Sequence, residues 1–190
     1  MGTRHLVCAV LNNEFKIAQY GQFDGYPDCA GRGTCEFIQQ NDMDKFKSCV
    51  SELTEETNLR EILNQYGNDG WMNLEQDRKF QENYPQYHRC TSAKIFDLVL
   101  NHGVKKVSLY VEFGKDSLFC EYAYVLNLDN NTLEFYKGFQ KEPHNSGRWA
   151  GQEGEEDYYP IKLIETIPFD EIKAKGYEAL AERLPKDDEE

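Results

Sequence analysis

The sequence lacks the short motifs that mark the common catalytic and metal-binding sites. GxSxG, SxxK and HExxH are absent, so nothing in the sequence indicates the hydrolases and peptidases that carry them. The 6 cysteines form no CxxC pair, and the 4 histidines show neither i,i+4 nor HxH spacing. We therefore expect no zinc site, no histidine-built metal site and no cofactor.

Basic residues are scarce beside acidic ones. The chain has 21 Lys and Arg against 34 Asp and Glu, a net charge of −13. This balance disfavours direct binding to nucleic acid, whose phosphates are neutralised by basic side chains. An acidic surface promotes solubility and could also dock on a basic protein partner.

Long apolar runs are also missing. No run approaches the roughly 18 residues of a membrane helix, and the start of the chain does not follow the pattern of a signal peptide. We expect no membrane contact and a cytoplasmic location, where thiols stay reduced.

Aromatic residues are abundant, at 13% of the chain, with 12 Tyr and 11 Phe. A chain of 190 residues can bury a substantial core as one domain. We expect that domain to span residues 1–184 and to be followed by an acidic, disordered tail over 185–190.

Hydrophobic periodicity predicts an α+β fold. A β-hairpin over 4–20 comes first and is expected at the centre of the sheet, and helical patterns follow over 35–103. Four β patterns then span 106–167, with the clearest hairpin at 117–139, before a final helix over 169–184. Because strands and helices do not alternate, we predict a largely antiparallel sheet of about six strands with helices packed on one face.

The segment YGQFDGYP is the first candidate site. It places the rings of Tyr20, Phe23 and Tyr26 beside the carboxylate of Asp24. Rings with an acid can hold a planar, donor-bearing group by stacking and hydrogen bonding. The alternative is a tight turn in which Asp24 binds nearby backbone amides and the rings point inwards. The residues alone leave both interpretations open.

Two arginines could contact an anion. Arg32 stands between Gly31 and Gly33, in a predicted Gly-rich loop that leads into a helix capped by Thr34. Backbone N–H groups of such a loop could bind a phosphate, although the spacing matches no known phosphate-binding fingerprint. Arg4 is expected to pair with an acid at the end of the sheet.

Two further positions could carry chemistry. Glu121 lies among apolar residues in the pattern FCEYAYV, so it is either on a solvent-facing side of the strand or a buried acid that needs a partner. Cys90 follows a His and an Arg and could be an activated thiol. The simpler interpretation of this second segment is a helix entry capped by Thr91 or Ser92.

The chain resembles a family of uncharacterised cytoplasmic proteins from bacteria, phages and some fungi. Three blocks carry the resemblance: Met1–Arg4 (MGTR), Gln19–Pro27 (QYGQFDGYP), and Ser117–Val125 (SLFCEYAYV) followed by Tyr136–Phe139 (YKGF). The resemblance implies a cytoplasmic location and no particular activity. Its members in phage genomes suggest a role in counter-defence.

These observations predict a binding protein for a small polar or nucleotide-like ligand, or for a protein partner, with inhibition in phage–host conflict as one form. The alternative is a hydrolase of a small polar substrate in which Asp24 and Glu121 act as acid and base. The predicted ligand-binding residues are Arg4, Tyr20, Asp24, Tyr26, Arg32 and Glu121.

Overall fold

The fold is a five-stranded sheet with helices on one side, together with a small two-stranded sheet. A computed structural model describes residues 2–67, 71–155 and 157–184, and the tail predicted over 185–190 lies outside the described residues. The strands are β1 (His5–Leu11), β2 (Glu14–Gly21), β3 (Thr54–Glu55), β4 (Lys106–Val107), β5 (Tyr122–Asn127), β6 (Thr132–Lys137) and β7 (Lys162–Pro168). The helices are α1 (Arg32–Gln40), α2 (Met43–Ser51), α3 (Leu59–Asn64), α4 (Leu74–Asn83), α5 (Lys94–Asn101), α6 (Phe169–Lys175) and α7 (Glu178–Ala181).

The large sheet has the strand order β2-β1-β5-β6-β7. Neighbouring strands are antiparallel except β1 and β5, which run parallel with His5 opposite Tyr122. The predicted α+β class is confirmed, with five strands in the main sheet. The expectation that both strands of the first hairpin are central is wrong, because β2 forms one edge. A short segment covers that edge where Tyr110 donates its N–H to the Ala18 carbonyl (2.9 Å).

Side chains of each strand alternate between two cores. On β1, Val7 and Ala9 face the helices, whereas Leu6, Cys8 and Val10 face the opposite side. The helix-side core contains three mutually contacting rings whose centroids lie 4.9–5.6 Å apart. They are Phe37, Phe46 and Phe96.

Loops cover the core on the opposite face of the sheet, and the indole of Trp149 lies within this core. Trp149 is fully buried, meets the Tyr136 ring edge-on at 5.1 Å, and donates its N–H to the Val111 carbonyl (2.8 Å). This hydrogen bond satisfies the polar atom of the indole, so the ring can fill the core.

The strands predicted at 106–113 and 117–128 are shorter in the structure. The first ends at Val107 and is followed by a 3₁₀ turn over Val111–Lys115. The second begins only at Tyr122, because the Asp116 carbonyl accepts the Cys120 N–H (2.7 Å) and closes a turn. Asp116 is therefore a turn residue that precedes β5.

Two predicted helices also differ. The helix expected over 169–184 is divided into α6 and α7 by Gly176, whose φ of 63° lies in the left-handed region that favours glycine. Thr34 lies inside α1 and donates its hydroxyl to the Ala30 carbonyl (2.9 Å), because a π-helical turn over Pro27–Gly31 already precedes the helix. Thr34 is therefore not the cap.

Across the described ranges, no helix combines the length and the apolar character needed to cross a membrane.

Candidate functional site

Residues 24–27 (DGYP) form a loop, which we call the DGYP loop, and hydrogen bonds of its backbone hold it in place. Its turning point is Asp24, with φ 57°, whose carbonyl accepts the Ala30 N–H (3.2 Å). Gly25 donates its N–H to the Thr3 carbonyl (3.0 Å) and accepts a hydrogen bond from the buried Tyr124 hydroxyl (2.9 Å). The loop is thus tied to the first residues of the chain and to the central strand β5.

Tyr124 is the residue whose loss should loosen this loop. Tyr124→Phe is expected to lower the free energy of unfolding by about 1–3 kcal/mol, because the Gly25 carbonyl loses a buried partner. Urea denaturation measures the change. The matched control is Tyr66→Phe, which removes only an exposed bond to Asn83 and should cost less than about 0.5 kcal/mol. Equal effects of the two variants would contradict a special role for Tyr124.

A cavity of about 450 Å³ opens between this loop and the segment that leads into α5; we name it the Asp24 cavity. Its polar lining includes Asp24, Ser92 and Lys94. Its apolar lining includes Phe23 and Ala30. The volume falls within the range of about 300–1,000 Å³ typical of small-molecule sites.

A buried imidazole lies behind one wall of the cavity. His5 is fully buried, with Nε2 2.7 Å from the Ser92 hydroxyl and Nδ1 3.4 Å from the Thr3 carbonyl. A carbonyl can only accept, so this arrangement places the proton on Nδ1 and leaves Nε2 to accept from Ser92. Burial lowers the pKa of His5 to about 4, although the Thr3 carbonyl and the charge of Asp24 each raise it. The imidazole is therefore neutral at pH 7.

Ser92 does not cap α5 as the sequence suggests. The N-cap position is Ala93, without a side-chain hydrogen bond, and Thr91 donates its hydroxyl to the Pro85 carbonyl. The Ser92 backbone has φ 47°, a left-handed conformation that is costly for a serine. The capping prediction is wrong because both hydroxyls have partners outside the helix.

Gly25, the glycine of the DGYP loop, has no room for a side chain because the His5 imidazole lies against it. A Cβ on Gly25 would lie 2.8 Å from His5 Nδ1 and 2.7 Å from the Thr3 carbonyl oxygen. A Cβ on Gly21 would also collide with the His5 ring. Neither position can carry a side chain while His5 keeps its place.

Two free thiols, Cys29 and Cys90, also line the cavity. Partial desolvation and then the charge of Asp28 raise the pKa of Cys29. Desolvation likewise raises the pKa of Cys90, which outweighs the lowering effect of Arg89. Both thiols are therefore protonated at neutral pH, and the sequence hypothesis of an activated Cys90 is not supported.

Two of the predicted site residues border a second cleft, of about 270 Å³. Tyr26 lines it and has its ring centroid 6.1 Å from that of Tyr122. Arg32 stacks on Tyr177, with its guanidinium carbon 4.1 Å from the centroid of a ring that lines the same cleft.

Arg32 lies in the first turn of α1 and not in a loop. The Gly31 N–H is bonded to the Tyr26 carbonyl (3.4 Å), and the Arg32 N–H points back to the Cys29 carbonyl. The expected phosphate-binding loop is therefore wrong, because its amides serve the helical turns. The Arg32 side chain donates through Nε to the Asp28 carbonyl (3.1 Å).

The remaining predicted residues belong to the opposite face of the sheet. Arg4 places its guanidinium carbon 4.7 Å from the centroid of the Phe119 ring, and Tyr20 packs edge-on against Phe113 at 5.1 Å. Glu121 is half-buried and donates its N–H to the Arg4 carbonyl (3.0 Å). Strand alternation carries these three side chains away from Asp24. The six predicted residues therefore do not converge on one cavity, and an acid–base pair of Asp24 and Glu121 has no geometric support.

Sequence reasoning missed His5 and Ser92. One signal was available: His5 shares its face of β1 with Val7 and Ala9, and a polar side chain on a buried face needs a partner. The identity of that partner, 87 residues away, carries no local signature. Within the described ranges, no group of three or more His, Cys, Asp or Glu side chains is arranged to hold a metal ion.

Comparison of the chain with protein-family models, with curated proteins and with solved structures finds no match. The resemblance to uncharacterised bacterial, phage and fungal proteins stays a prediction.

Proposed function

We propose that the protein binds a small polar molecule in the Asp24 cavity. The observation that carries this proposal is the state of the Asp24 side chain. The backbone of the residue holds the loop, whereas its carboxylate makes no hydrogen bond to the residues that the structure describes. An acid that is not needed for the turn, on the wall of a cavity, is available to a ligand.

The lining indicates what the ligand would carry. Asp24 accepts hydrogen bonds from donors, Lys94 offers a cation, and the Phe23 ring is 45% exposed and can stack on a planar group. A molecule with a planar, donor-bearing part and an anionic part would satisfy all three. Nucleotide-like metabolites have this chemistry.

The test is a thermal-shift and native mass spectrometry screen against nucleotides and polar metabolites. We expect at least one compound to raise the melting temperature of the wild type and to have little effect on Asp24→Asn. Asparagine tolerates the left-handed backbone of this position, so the variant removes charge without adding strain. Asp28→Asn, an exposed neighbour outside the cavity lining, is the control and should respond as the wild type does.

Equal stabilisation of the wild type and Asp24→Asn by every hit would contradict binding in the Asp24 cavity.

Docking on a basic protein is the second candidate, including an inhibitory role in phage–host conflict. Trp71 and Leu74 are 86% and 88% exposed beside the acids Glu75 and Asp77 of α4. Exposed apolar side chains next to acidic residues can fit a basic protein surface. This candidate predicts that no small molecule in the screen stabilises the protein.

A further inference from the structure

We propose that Ser92 is a nucleophile, activated by His5, that hydrolyses small carboxylic esters in the Asp24 cavity. The inference rests on the proposed function, because it uses the same cavity, and adds turnover to binding. It differs from the acid–base hydrolase expected from the sequence, since the reacting group is a hydroxyl.

Ser92 and His5 have the geometry of a nucleophile and its base. A serine hydroxyl becomes a useful nucleophile when a neutral base within about 2.6–3.2 Å can take its proton. The Ser92 oxygen lies 2.7 Å from His5 Nε2, and the Thr3 carbonyl at 3.4 Å fixes the tautomer in which Nε2 is the acceptor. The backbone carbonyl of Thr3 thus orients His5, the base.

The backbone of Ser92 has an unusual conformation. Ser92 has φ 47° at the turn into α5, and its hydroxyl caps no helix. Left-handed non-glycine residues cost of order 1–3 kcal/mol and cluster at functional sites. The turn directs the hydroxyl to His5 while the residue still lines the cavity. A serine that served only as a partner for a buried histidine would not need to line a cavity.

Charged side chains lie on the wall of the Asp24 cavity. The reaction makes an imidazolium and an oxyanion for a moment, and both need compensation. Burial disfavours the protonated form of His5, and the Thr3 carbonyl and the charge of Asp24 offset part of this effect. Lys94 is a cation on the wall of the same cavity. The side chains of Ala30 and Ala93 leave room for a short acyl group.

The chemistry balances with water as the co-reactant. The Ser92 oxygen attacks the ester carbonyl carbon as its proton passes to His5 Nε2. The bond between that carbon and the alkoxy oxygen breaks, and the alcohol leaves with the proton from His5. Water then attacks the acyl-serine ester and gives a proton to His5, which returns it to the Ser92 oxygen as the carboxylic acid is released.

The experiment uses the full chain, a fluorophosphonate probe and p-nitrophenyl acetate. We expect one covalent adduct per chain by intact mass, located on Ser92 by peptide mapping, together with catalytic release of p-nitrophenol. Ser92→Gly should abolish both, and because glycine accepts φ 47° the backbone keeps its conformation. Ser48→Ala, an exposed serine of α2, is the control and should label as the wild type does.

The variant His5→Gln tests whether His5 takes the proton of Ser92 or only forms a hydrogen bond with it. A glutamine amide can still bond to Ser92 but cannot take its proton, so labelling should slow by about 100-fold or more. Long-range ¹H–¹⁵N NMR of the imidazoles is the second readout. It should show His5 as the neutral Nδ1–H tautomer at pH 7, and an Nε2–H tautomer would overturn its role as base.

The outcomes separate the two proposals. If screen hits stabilise the protein through Asp24 but Ser92 is neither labelled nor needed for ester cleavage, this inference is overturned and the binding function stands. If no compound stabilises the protein and no adduct forms, both fail. An adduct on any other residue also overturns the inference.

Discussion

Replacement of Arg148 by leucine is expected to lower the free energy of unfolding by about 3–5 kcal/mol, because it leaves a buried carboxylate without its cation. Arg148 donates two hydrogen bonds to Glu134, Nε at 2.8 Å and a terminal NH₂ at 2.7 Å. Glu134 is 6% exposed and also accepts from Tyr136 (2.8 Å) and Asn127 (2.9 Å). The charge would remain desolvated after the substitution, with only neutral donors.

The pH dependence of this ion pair has a defined sign. Burial raises the pKa of Glu134, but the hydrogen bonds from Arg148 and Tyr136 outweigh it, and the pKa is lowered on balance. A lowered pKa means that the contribution is present at neutral pH and is lost as the pH falls through the pKa of the folded protein. The difference in stability between the wild type and Arg148→Leu should therefore shrink in acid.

Urea denaturation at pH 7 measures the effect. The matched control is Lys79→Leu, which removes an ion pair with Glu75 whose two side chains are 56% and 68% exposed. Exposed pairs contribute about 1 kcal/mol or less. A loss below about 1 kcal/mol for Arg148→Leu would show that Glu134 is hydrated or protonated, contrary to the structure.

His5 is expected to make the protein less stable as the pH falls from about 6.5 to about 4. The ordinary pKa of histidine is 6.5, and burial lowers that of His5 to about 4. Between these values the unfolded chain binds a proton that the folded chain excludes, so unfolding becomes easier. The shift corresponds to a loss on the order of 3 kcal/mol at pH 4, with no effect above pH 7.

Comparing the wild type with a His5 variant at two pH values separates the contribution of His5 from that of the carboxylates, which also bind protons in acid. The loss of stability between pH 7 and pH 4 should be about 3 kcal/mol smaller in His5→Gln than in the wild type. The Thr3 carbonyl and the Ser92 hydroxyl contact His5, the charge of Asp24 acts on it, and all three groups remain in the variant. His102→Gln, an exposed site after α5 whose ion pair with Asp97 is also exposed, is the control and should change the profile by about 1 kcal/mol or less. Identical profiles for His5→Gln and the wild type would mean that the pKa of His5 is the same in the folded and unfolded protein, contrary to its burial.

Features coded by neighbouring residues were predictable from the sequence. The turn at Asn12 and Asn13 has φ values of 56° and 58°, as the tolerance of asparagine for this region implies. Asp42 caps α2 by accepting the N–H groups of Asp44 and Lys45. Gly176 interrupts the last helix, as the low helix propensity of glycine implies.

Features that join distant segments could not be predicted in this way. The parallel pairing of β1 with β5 brings His5 beside Tyr122, and no periodicity within either strand specifies its partner. The same holds for the His5–Ser92 contact, which joins β1 to the segment before α5. Candidate residues chosen for their chemistry, such as Arg4 and Glu121, were therefore separated from Asp24 by the side of the sheet on which they lie.

The central claim is that the Asp24 cavity is a ligand site, and crystallographic fragment screening tests it for any ligand chemistry. Crystals of the wild type would be soaked with small polar fragments that carry donors, carboxylates or ester groups. We predict that bound fragments concentrate between Asp24, Ser92 and Lys94, and that Asp24→Asn crystals lose the donor-bearing ones. Fragments that bind repeatedly elsewhere, for example in the cleft between Tyr26 and Tyr177, and never in the Asp24 cavity, would contradict the claim.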